Sequence, residues 1–245
     1  MGIGLELAKL AAADGHDLVL VARSEDRLTA LAAELQSSHG VKATVVPVDL
    51  ADPAAPARVI EALDAADLAV DVLVNCAGFG STGRYWLSDR ARELAMIQVN
   101  VTAVADLTHR VLGGMVERKR GRVLNVASTA GFVPGPNMAT YYATKAFVVS
   151  FTEALAHELR GTGVTATALC PGPVATAFSK VAGNDRSILF KVGVDHPERV
   201  AAIGWKATKR GRAVVVTGWT NQLATLGVRF SPRLVARAMA GLLNS

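Results

Sequence analysis

Residues 122–128 read Arg-Val-Leu-Asn-Val-Ala-Ser, and residues 139–145, beyond a loop rich in glycine and proline, read Ala-Thr-Tyr-Tyr-Ala-Thr-Lys. The first run is apolar and rich in valine, which is typical of a buried strand. The second opens a segment of helical pattern that extends to residue 160, and another strand-like run, Thr165–Leu169, follows it. A strand, a helix and a second strand in this order predict one βαβ unit of a parallel sheet.

The same alternation covers the whole chain without a linker, a repeat or a low-complexity tract. Helical segments separate six strand-like runs: Leu18–Ala22, Ala43–Val48, Val70–Asn75, Arg122–Ala127, Thr165–Leu169 and Ala213–Thr217. We therefore predict an α/β fold, a doubly wound parallel sheet, in a single domain over residues 1–245. A composition of 51% hydrophobic and 5% aromatic residues suits an Ala/Val/Leu core of helices packed on such a sheet.

Two side chains of this unit predict acid–base chemistry. On a helix over 139–160, Tyr141 and Lys145 lie one turn apart on one face. Lowering the pKa of a tyrosine by about 2 to 3 units takes roughly 3 to 4 kcal/mol of preferential stabilisation of the phenolate. A lysine cation about 4 Å away supplies about that much at an effective dielectric constant of about 20. We expect Lys145 to lower the pKa of Tyr141, and Ser128 to hold a carbonyl oxygen against the phenol while a hydride arrives at carbon.

Further motifs stand in a fixed order around this pair. They are Asn75-Cys-Ala-Gly78, Asn100, Ser128, Tyr141-x-x-x-Lys145 and Pro171-Gly-Pro-Val-Ala-Thr176. With these motifs the chain resembles the classical short-chain dehydrogenase/reductase family over essentially its whole length. The resemblance implies a Rossmann-like dinucleotide-binding domain and an NAD(P)-dependent enzyme that acts on CH–OH groups.

The resemblance also implies the catalytic roles. Tyr141 is the acid/base, and Lys145 is both its electrostatic partner and a ligand of the nicotinamide ribose. Ser128 orients the carbonyl group, and Asn100, within a helix predicted over 91–118, holds a water that passes protons to Lys145. Tyr142 is a rival for the phenol because an i, i+3 residue also faces Lys145, but the spacing of the family selects Tyr141.

The N-terminus departs from the family pattern. A classical member begins with a buried strand and a loop of the form Thr-Gly-x-x-x-Gly-x-Gly, whereas this chain opens at Met1-Gly2-Ile3-Gly4 and matches only the end of that loop. We expect a sheet that lacks this central strand, with unpaired ladder groups on its two neighbours. Either the sequence is part of a longer natural protein, which the cost of omitting a central strand favours, or it is a truncated form with impaired cofactor binding.

The first half of the chain carries the predicted nucleotide contacts. Gly2, Ile3 and Gly4 open a helix whose N-terminal amides would face a pyrophosphate. The second strand of an NAD-preferring member ends on an acidic residue, whereas here Arg23 and Ser24 follow the strand. We expect Arg23 and Ser24 to hold a 2′-phosphate, so that NADP(H) is favoured over NAD(H). The alternative is a surface arginine paired with Glu25 or Asp26.

The resemblance places further cofactor contacts after later strands. Asp49 would contact the adenine, although a helix cap near Pro53 is an alternative role, and Val174 and Thr176 would meet the nicotinamide carboxamide. The remaining members of this set are Leu50, Asn75, Ala77, Gly78, Pro171 and Gly172. Residues 171–195, the least regular stretch, follow a strand and are the predicted substrate lid.

Cysteine spacing and charge limit the other functions. Cys76 and Cys170 show neither a Cys-x-x-Cys nor another metal-ligand spacing, so we expect small buried core residues, no disulfide and no metal. Nine Lys/Arg against two Asp/Glu in residues 191–245 give this part of the chain a net charge of +7. This charge could attract acyl-CoA, an acidic acyl carrier protein or an anionic membrane surface, or it is a solvated surface.

These observations lead to one function and two alternatives. We predict a cytoplasmic enzyme that transfers a hydride between NADP(H) and a hydrophobic ketone or secondary alcohol, including 3-oxoacyl thioesters, and that forms a homo-oligomer. The apolar stripe within Pro232–Leu243 favours packing on a subunit or the core over membrane contact. A catalytically impaired dinucleotide-binding or scaffold protein is the first alternative. A nucleic-acid binder is the second, but the sequence has no nucleic-acid motif, so we expect no nucleic-acid partner.

Overall fold

The strands form where the sequence predicts them, within two residues at each end. The structure, a computed structural model, describes residues 2–176, 178, 182–183 and 194–243. The strands in these ranges are β1 (Leu18–Ala22), β2 (Ala43–Pro47), β3 (Val72–Asn75), β4 (Gly121–Val126), β5 (Val164–Cys170) and β6 (Val214–Val216). All of the strand pairs are parallel. The predicted α/β class is therefore confirmed.

Helices alternate with these strands and pack on the sheets. They are α1 (Ile3–Ala13), α2 (Glu25–His39), α3 (Ala55–Ala65), α4 (Arg90–Ile97), α5 (Ala103–Glu117), α6 (Ala139–Glu158), α7 (Pro197–Lys209), α8 (Trp219–Phe230) and α9 (Arg233–Leu243). Local sequence fixes several ends: Asp89 caps α4 by accepting a hydrogen bond from the Ala91 amide, and Gly40 ends α2 in the left-handed conformation. Over the described residues, none of the helices combines the length and the apolarity that crossing a bilayer requires.

The helix predicted over 91–118 is present from Arg90 to Glu117, but it is not a regular α-helix throughout. Residues Gln98–Thr102 form a π-helical turn between α4 and α5. Such turns insert extra backbone into a helix and occur frequently at functional sites. Here the turn carries Asn100, whose buried side-chain amide bonds the backbone of Phe79 and so ties the helix to the loop after β3.

The parallel sheet is divided into two parts. β1 pairs with β2, and β3, β4, β5 and β6 form a second sheet in that order. In the described ranges, neither β1 nor β3 has a partner on its other edge, and both strands line the same cavity. This is the arrangement expected of a doubly wound sheet without its first strand. The backbone groups on these two edges could therefore pair with a further strand.

Contacts between α1 and α7 fix the N-terminal glycine turn over the strand ends. Leu7 packs in one apolar cluster with Trp205. The Asp14 carboxylate accepts hydrogen bonds from Trp205 Nε1 at 2.8 Å and from Lys209 Nζ at 2.7 Å. The bond from Lys209, followed by that from Trp205, lowers the pKa of Asp14 below its usual value. These contacts hold α1 in place from its C-terminal end.

Candidate active site

One large cavity lies between the carboxyl ends of the strands and the N-terminus of α1, where ligands bind in open α/β sheets. Its volume is 2350 Å³. A small-molecule pocket usually has about 300 to 1,000 Å³, and this cavity is larger because the gap between β1 and β3 opens into it. Ser128, Tyr141, Lys145 and every predicted cofactor residue line the cavity, while Asn100 lies behind them. The structure therefore brings the predicted residues to one place.

Ser128 and Tyr141 form the polar centre of the site. Ser128 follows β4, and its Oγ accepts a hydrogen bond from the Ala130 amide at 3.1 Å. Tyr141 is in the first turn of α6 and is hydrogen-bonded to the Ser128 side chain. Burial raises the pKa of Tyr141 to about 12, although the Ser128 hydrogen bond acts in the opposite direction. The expected lowering of the pKa of this phenol is therefore wrong in this structure, since desolvation dominates.

Lys145 lies near the phenol but directs its ammonium to the backbone. Its Nζ donates a hydrogen bond to the Val126 carbonyl at 2.8 Å and lies 5.9 Å from the centre of the Tyr141 ring. Burial lowers the pKa of Lys145 to about 8. The ammonium is thus bonded to the Val126 carbonyl, and burial, not this cation, sets the direction of the pKa shift of Tyr141.

Tyr142 is the less suitable of the two neighbouring phenols. Its ring meets the Tyr141 ring edge to face, with the centroids 6.1 Å apart. It also packs on Gly135, where an added Cβ would overlap the ring. Ser128 is hydrogen-bonded to Tyr141, so the geometry supports Tyr141, the residue that the spacing of the family selects as the acid/base.

Asn100 organises the loop beneath the site. Its Nδ2 donates to the Phe79 carbonyl at 3.0 Å and to Thr144 Oγ1 at 3.1 Å, and its Oδ1 accepts from the Phe79 amide at 3.2 Å. A Cβ on Gly78 would lie 3.0 Å from Asn100 Oδ1 and 3.5 Å from Lys145 Nζ. Glycine at this position keeps open the space between the amide and the ammonium. The water relay between them stays a prediction.

The N-terminal turn provides close backbone approach to the cavity. Gly2 precedes α1 with φ at 137°, and a Cβ there would lie 3.3 Å from Thr176 Cγ2. A Cβ on Gly4 would lie 3.3 Å from Cys76 Sγ. These glycines leave the first amides of α1 directed at the cavity, so the turn fits the phosphate groups of a dinucleotide.

Arg23 and Asp49 lie at the nucleotide end of the cavity. Arg23 Nη1 is 4.0 Å from Asp49 Oδ2, and both side chains are largely exposed, so this pair contributes little to stability. The predicted alternative partners of Arg23 were Glu25 and Asp26, but the residue it meets is Asp49. Asp49 Oδ1 also accepts a hydrogen bond from the Ala51 amide, but this bond closes a turn and caps no helix, because α3 begins only at Ala55.

Asn75 lines the cavity, but its side chain is part of a buried polar ladder. Asn75 Nδ2 donates to Thr108 Oγ1 at 3.1 Å and to Asn125 Oδ1 at 2.9 Å. Asn125 Nδ2 donates in turn to Thr152 Oγ1 at 2.9 Å. The ladder joins α5, β3, β4 and α6, so the amide of Asn75 fixes the site's elements, and a cofactor contact would use its backbone. Sequence reasoning missed the other three members of the ladder.

The segment after β5 closes the opposite side of the cavity. The Pro171 carbonyl accepts hydrogen bonds from the Thr129 amide at 2.9 Å and from Ser128 Oγ at 3.4 Å. Val174 forms a parallel bridge with Asp195, so the two ends of the predicted lid meet. Residues 177, 179–181 and 184–193, most of this lid, lie outside the described residues.

An apolar pocket surrounds the phenol. Tyr141 belongs to a cluster with Met138, Phe79 and Phe178, and the Phe178 ring centre is 5.2 Å from that of Tyr141. Ser81 donates a hydrogen bond to buried Glu93, which fixes the loop that carries Phe79. Phe79 and Phe178 were not predicted as site residues. The sequence signal that could have indicated them is their position, because each phenylalanine stands within two residues of the end of a motif that follows a strand, Asn75–Gly78 or Pro171–Thr176.

Both cysteines are free thiols close to Lys145. Burial raises the pKa of Cys76 to about 11 and that of Cys170 to about 12. Thiols with such pKa values are protonated at neutral pH and react poorly as nucleophiles. Within the ranges that the structure describes, no three His, Cys, Asp or Glu side chains form a group that could hold a metal.

A serine, a tyrosine and a buried lysine at the nucleotide-binding edge of a doubly wound sheet define a class of nucleotide-dependent oxidoreductase sites. Residues 1–187 match the family described as short chain dehydrogenase, and the chain belongs to this family.

The similar proteins agree with this assignment. The chain is 37% identical over 207 residues to a very-long-chain 3-oxoacyl-CoA reductase of Laccaria bicolor, covering 79% of this chain and 61% of that protein. It is 40% identical over 183 residues to a monensin polyketide synthase putative ketoacyl reductase of Streptomyces virginiae, covering 73% and 69%. The chain thus spans about three fifths of the length of the reductase from Laccaria bicolor.

Solved structures extend the likeness to the whole fold. A 7β-hydroxysteroid dehydrogenase structure has a TM-score of 0.85 at 26% identity, with 98% of this chain and 92% of that chain covered. A short-chain dehydrogenase of Sphingobium yanoikuyae in complex with NADPH has a TM-score of 0.81 at 31% identity, covering 94% and 90%. A family member of Burkholderia phymatum in complex with NAD has a TM-score of 0.83 at 28% identity, covering 96% and 92%. Both nucleotides therefore occur among similar structures.

Proposed function

We propose that this protein is an NADPH-dependent reductase of apolar ketones, with 3-oxoacyl thioesters among its substrates. The observation that carries the proposal is the hydrogen-bonded pair of Ser128 and Tyr141 in an apolar pocket beside buried Lys145. The relatives named as 3-oxoacyl-CoA and ketoacyl reductases support the class of substrate.

The site residues have complementary tasks. A phenol with a pKa of about 12 is protonated at neutral pH, so Tyr141 can donate a proton to a carbonyl oxygen that becomes negative. Ser128 donates a second hydrogen bond to the same oxygen and orients it. Bound NADPH supplies the hydride for the carbonyl carbon. Lys145 places positive charge near the phenolate that remains when Tyr141 loses its proton.

The residues present fit a dinucleotide. Gly2 and Gly4 allow close approach of the α1 amides to phosphate groups, and Ala77 and Gly78 line the middle of the cavity. Arg23 and Ser24 would hold the adenosine end. Pro171, Gly172, Val174 and Thr176 would hold the nicotinamide end, since they line the cavity on the side of Ser128.

The preference for NADPH over NADH rests on Arg23. Its guanidinium is largely exposed at the end of β1, and the 4.0 Å contact with Asp49 leaves it available to a phosphate. If Arg23 binds a 2′-phosphate, Arg23→Ala should narrow the difference between NADPH and NADH affinity by about 1.5 to 3 kcal/mol. Calorimetric titration with both nucleotides measures this difference. Arg110→Ala, which removes an exposed arginine from α5, is the control. If the ratio of NADPH affinity to NADH affinity is unchanged in Arg23→Ala, then Arg23 does not bind the 2′-phosphate.

Turnover tests the catalytic proposal. NADPH oxidation by the full chain is followed with 3-oxoacyl-CoA substrates of short and long chain and with an apolar ketone. Tyr141→Phe should lower turnover at least about 100-fold, the usual contribution of a general acid. Tyr142→Phe removes the neighbouring hydroxyl and should leave turnover largely intact. Equal losses in the two variants would refute the assignment of Tyr141.

A second candidate function follows from the divided sheet. In this case the protein binds a dinucleotide weakly or serves as a scaffold, and it catalyses no carbonyl reduction. The edges of β1 and β3 beside the nucleotide cavity, which have no partner strand in the described part of the chain, favour this candidate. Absence of turnover with every carbonyl substrate, together with measurable NADPH binding, would support it over the reductase.

A further inference from the structure

The last two helices present an uncovered apolar face. On α8, Trp219, Leu223, Leu226 and Phe230 recur every three or four residues, so they share one side of the helix. These four side chains are 54% to 83% exposed. On α9, Leu234, Val235 and Met239 are 46% to 67% exposed. We call this surface the C-terminal hairpin face. The stripe within Pro232–Leu243, predicted to pack on a subunit or the core, is therefore largely exposed and does not pack on the core of this chain.

The inner side of the same helices forms a wall of the active-site cavity. Ala224 and Val228 of α8 and Ala236 and Ala240 of α9 line the cavity. Met239 lines the cavity and is exposed as well, so it lies at the rim. Whatever covers the hairpin face therefore lies directly beside the mouth of the cavity.

The charge of the hairpin is of one sign. Residues 219–243 contain Arg229, Arg233 and Arg237 and no Asp, Glu or Lys. All three arginines are exposed, and the ion pairs of the described residues do not include them. Apolar side chains with arginines and no acid are the composition of a helix that binds an anionic lipid surface.

An exposed aromatic turn follows a loop that is bonded to the segment packed on α9. Tyr85, Trp86 and Leu87 form an exposed 3₁₀ turn. The loop before this turn is fixed by a hydrogen bond from the Gly83 amide to the Asn137 carbonyl, and the adjacent Pro136 packs on Gly241 of α9. Tryptophan and tyrosine are enriched at membrane interfaces because their rings are apolar with one polar group.

A second copy of this chain is a poorer occupant than lipid. A two-fold contact through the hairpin face would bring the same surface of two copies together. Six arginines would then lie in or around one interface without an acidic residue on either pair of helices. The homo-oligomer expected from the sequence would therefore use another surface.

We propose that the C-terminal hairpin face docks the protein on an anionic membrane surface, with the mouth of the active-site cavity at the lipid. Apolar side chains enter the outer part of the bilayer, while the three arginines meet lipid phosphates. An apolar ketone or acyl thioester could then pass between the membrane and Tyr141 with little exposure to water. This last consequence rests on the proposed function, whereas the docking itself does not.

Vesicle sedimentation tests the proposal with the full chain. The protein should sediment with phosphatidylcholine vesicles that contain phosphatidylserine, and much less with phosphatidylcholine alone or at raised salt. The combined variant Arg229→Gln/Arg233→Gln/Arg237→Gln should weaken binding to the anionic vesicles roughly 100-fold, since each arginine near such a surface contributes about fivefold. The variant Leu223→Ser/Leu226→Ser/Phe230→Ser should bind at least about tenfold more weakly, because it lacks three of the four exposed apolar side chains of α8.

A charge-matched control separates docking from general attraction. Lys206→Gln/Arg210→Gln/Arg212→Gln removes the same charge from exposed positions at the end of α7 and should reduce binding less than about threefold. Melting curves establish that each variant is folded. Equal binding to neutral and anionic vesicles, equal losses in the two charge variants, or no vesicle binding with a dimer that the serine variant dissociates would each overturn the proposal. Turnover on a water-soluble ketone is measured separately, so failure of the reductase function is distinguishable from failure of docking.

Discussion

At the scale of single residues, the site combines a phenol that holds its proton with a lysine that releases its proton easily. Burial is the larger cause in both cases, raising the pKa of Tyr141 to about 12 and lowering that of Lys145 to about 8. Both shifts favour neutral side chains, as expected in an apolar pocket. For carbonyl reduction a protonated phenol is the useful form, so the raised pKa of Tyr141 suits a proton donor.

The buried lysine predicts how stability depends on pH. Between pH 8 and about 10.5 the unfolded chain still binds a proton that native Lys145 has lost, so stability should rise with pH through this range. Relative to Lys145→Met, the wild-type free energy of unfolding should increase by about 1 to 2 kcal/mol from pH 7.5 to 9.5. Urea unfolding of both proteins at several pH values measures this.

Comparison with Lys145→Met makes this pH test specific. Cys76, Cys170 and Tyr141 also titrate at alkaline pH, with raised pKa values that lower stability as pH rises. These groups are present in both proteins, so their contributions largely cancel in the difference. A difference that stays constant with pH would show that the pKa of Lys145 is not lowered in the native protein.

At the scale of secondary-structure elements, the polar ladder of Asn75 and Asn125 connects β3 and β4 to α5 and α6 and so fixes their relative positions. Thr152 is fully buried, and its hydroxyl accepts from Asn125 Nδ2 and donates to the Val148 carbonyl. Thr152→Val leaves the Asn125 amide without this partner and should destabilise the protein by about 1 to 3 kcal/mol. The melting temperature should fall by roughly 2 to 10 °C.

The chain contains a matched control for this substitution. Thr167 on β5 is also fully buried, but its hydroxyl has no hydrogen-bond partner among the described residues. Thr167→Val removes a desolvated hydroxyl at nearly constant volume and should be neutral or stabilising. Equal destabilisation by the two Thr→Val changes would mean that packing, and not the ladder, fixes these elements.

Local sequence patterns were enough to predict the strands and most of the helices. The features that could not be predicted depend on contacts between residues distant in sequence. The strands could be predicted because each is an apolar run that ends near a glycine, a proline or a polar residue. The π turn at Gln98–Thr102 could not, because it accommodates the bonds of Asn100 to Phe79, 21 residues earlier in the chain. The Val126 carbonyl that binds Lys145 and the buried partners of Asn75 likewise depend on tertiary structure.

At the scale of the whole molecule, the two parts of the sheet are joined by helices and by the N-terminal turn instead of a continuous ladder. Among the residues that the structure describes, β1 and β3 each have an unpaired edge on the cavity of 2350 Å³. Exposed parallel edges lose the hydrogen bonds of one strand on each side and leave apolar strand residues in contact with solvent. A single additional strand could satisfy both edges.

An engineered extension tests this account of the molecule. An apolar strand of five to six valine and isoleucine residues, about the length of β1, followed by a glycine-containing turn, is fused before Met1. If the strand enters between β1 and β3, the extended protein should melt at a higher temperature and bind NADPH at least about tenfold (1.4 kcal/mol) more tightly. The physical reason is that the strand would complete both ladders and hold the turn at Gly2 over the cavity.

The control extension has the same length and composition except for prolines at alternate positions, which removes the amide donors that pairing requires. Calorimetric titration and melting of the three proteins, side by side, decide between the outcomes. Equal affinity and equal melting temperature in all three would mean that the chain stabilises its sheet and its nucleotide site without a strand in the gap.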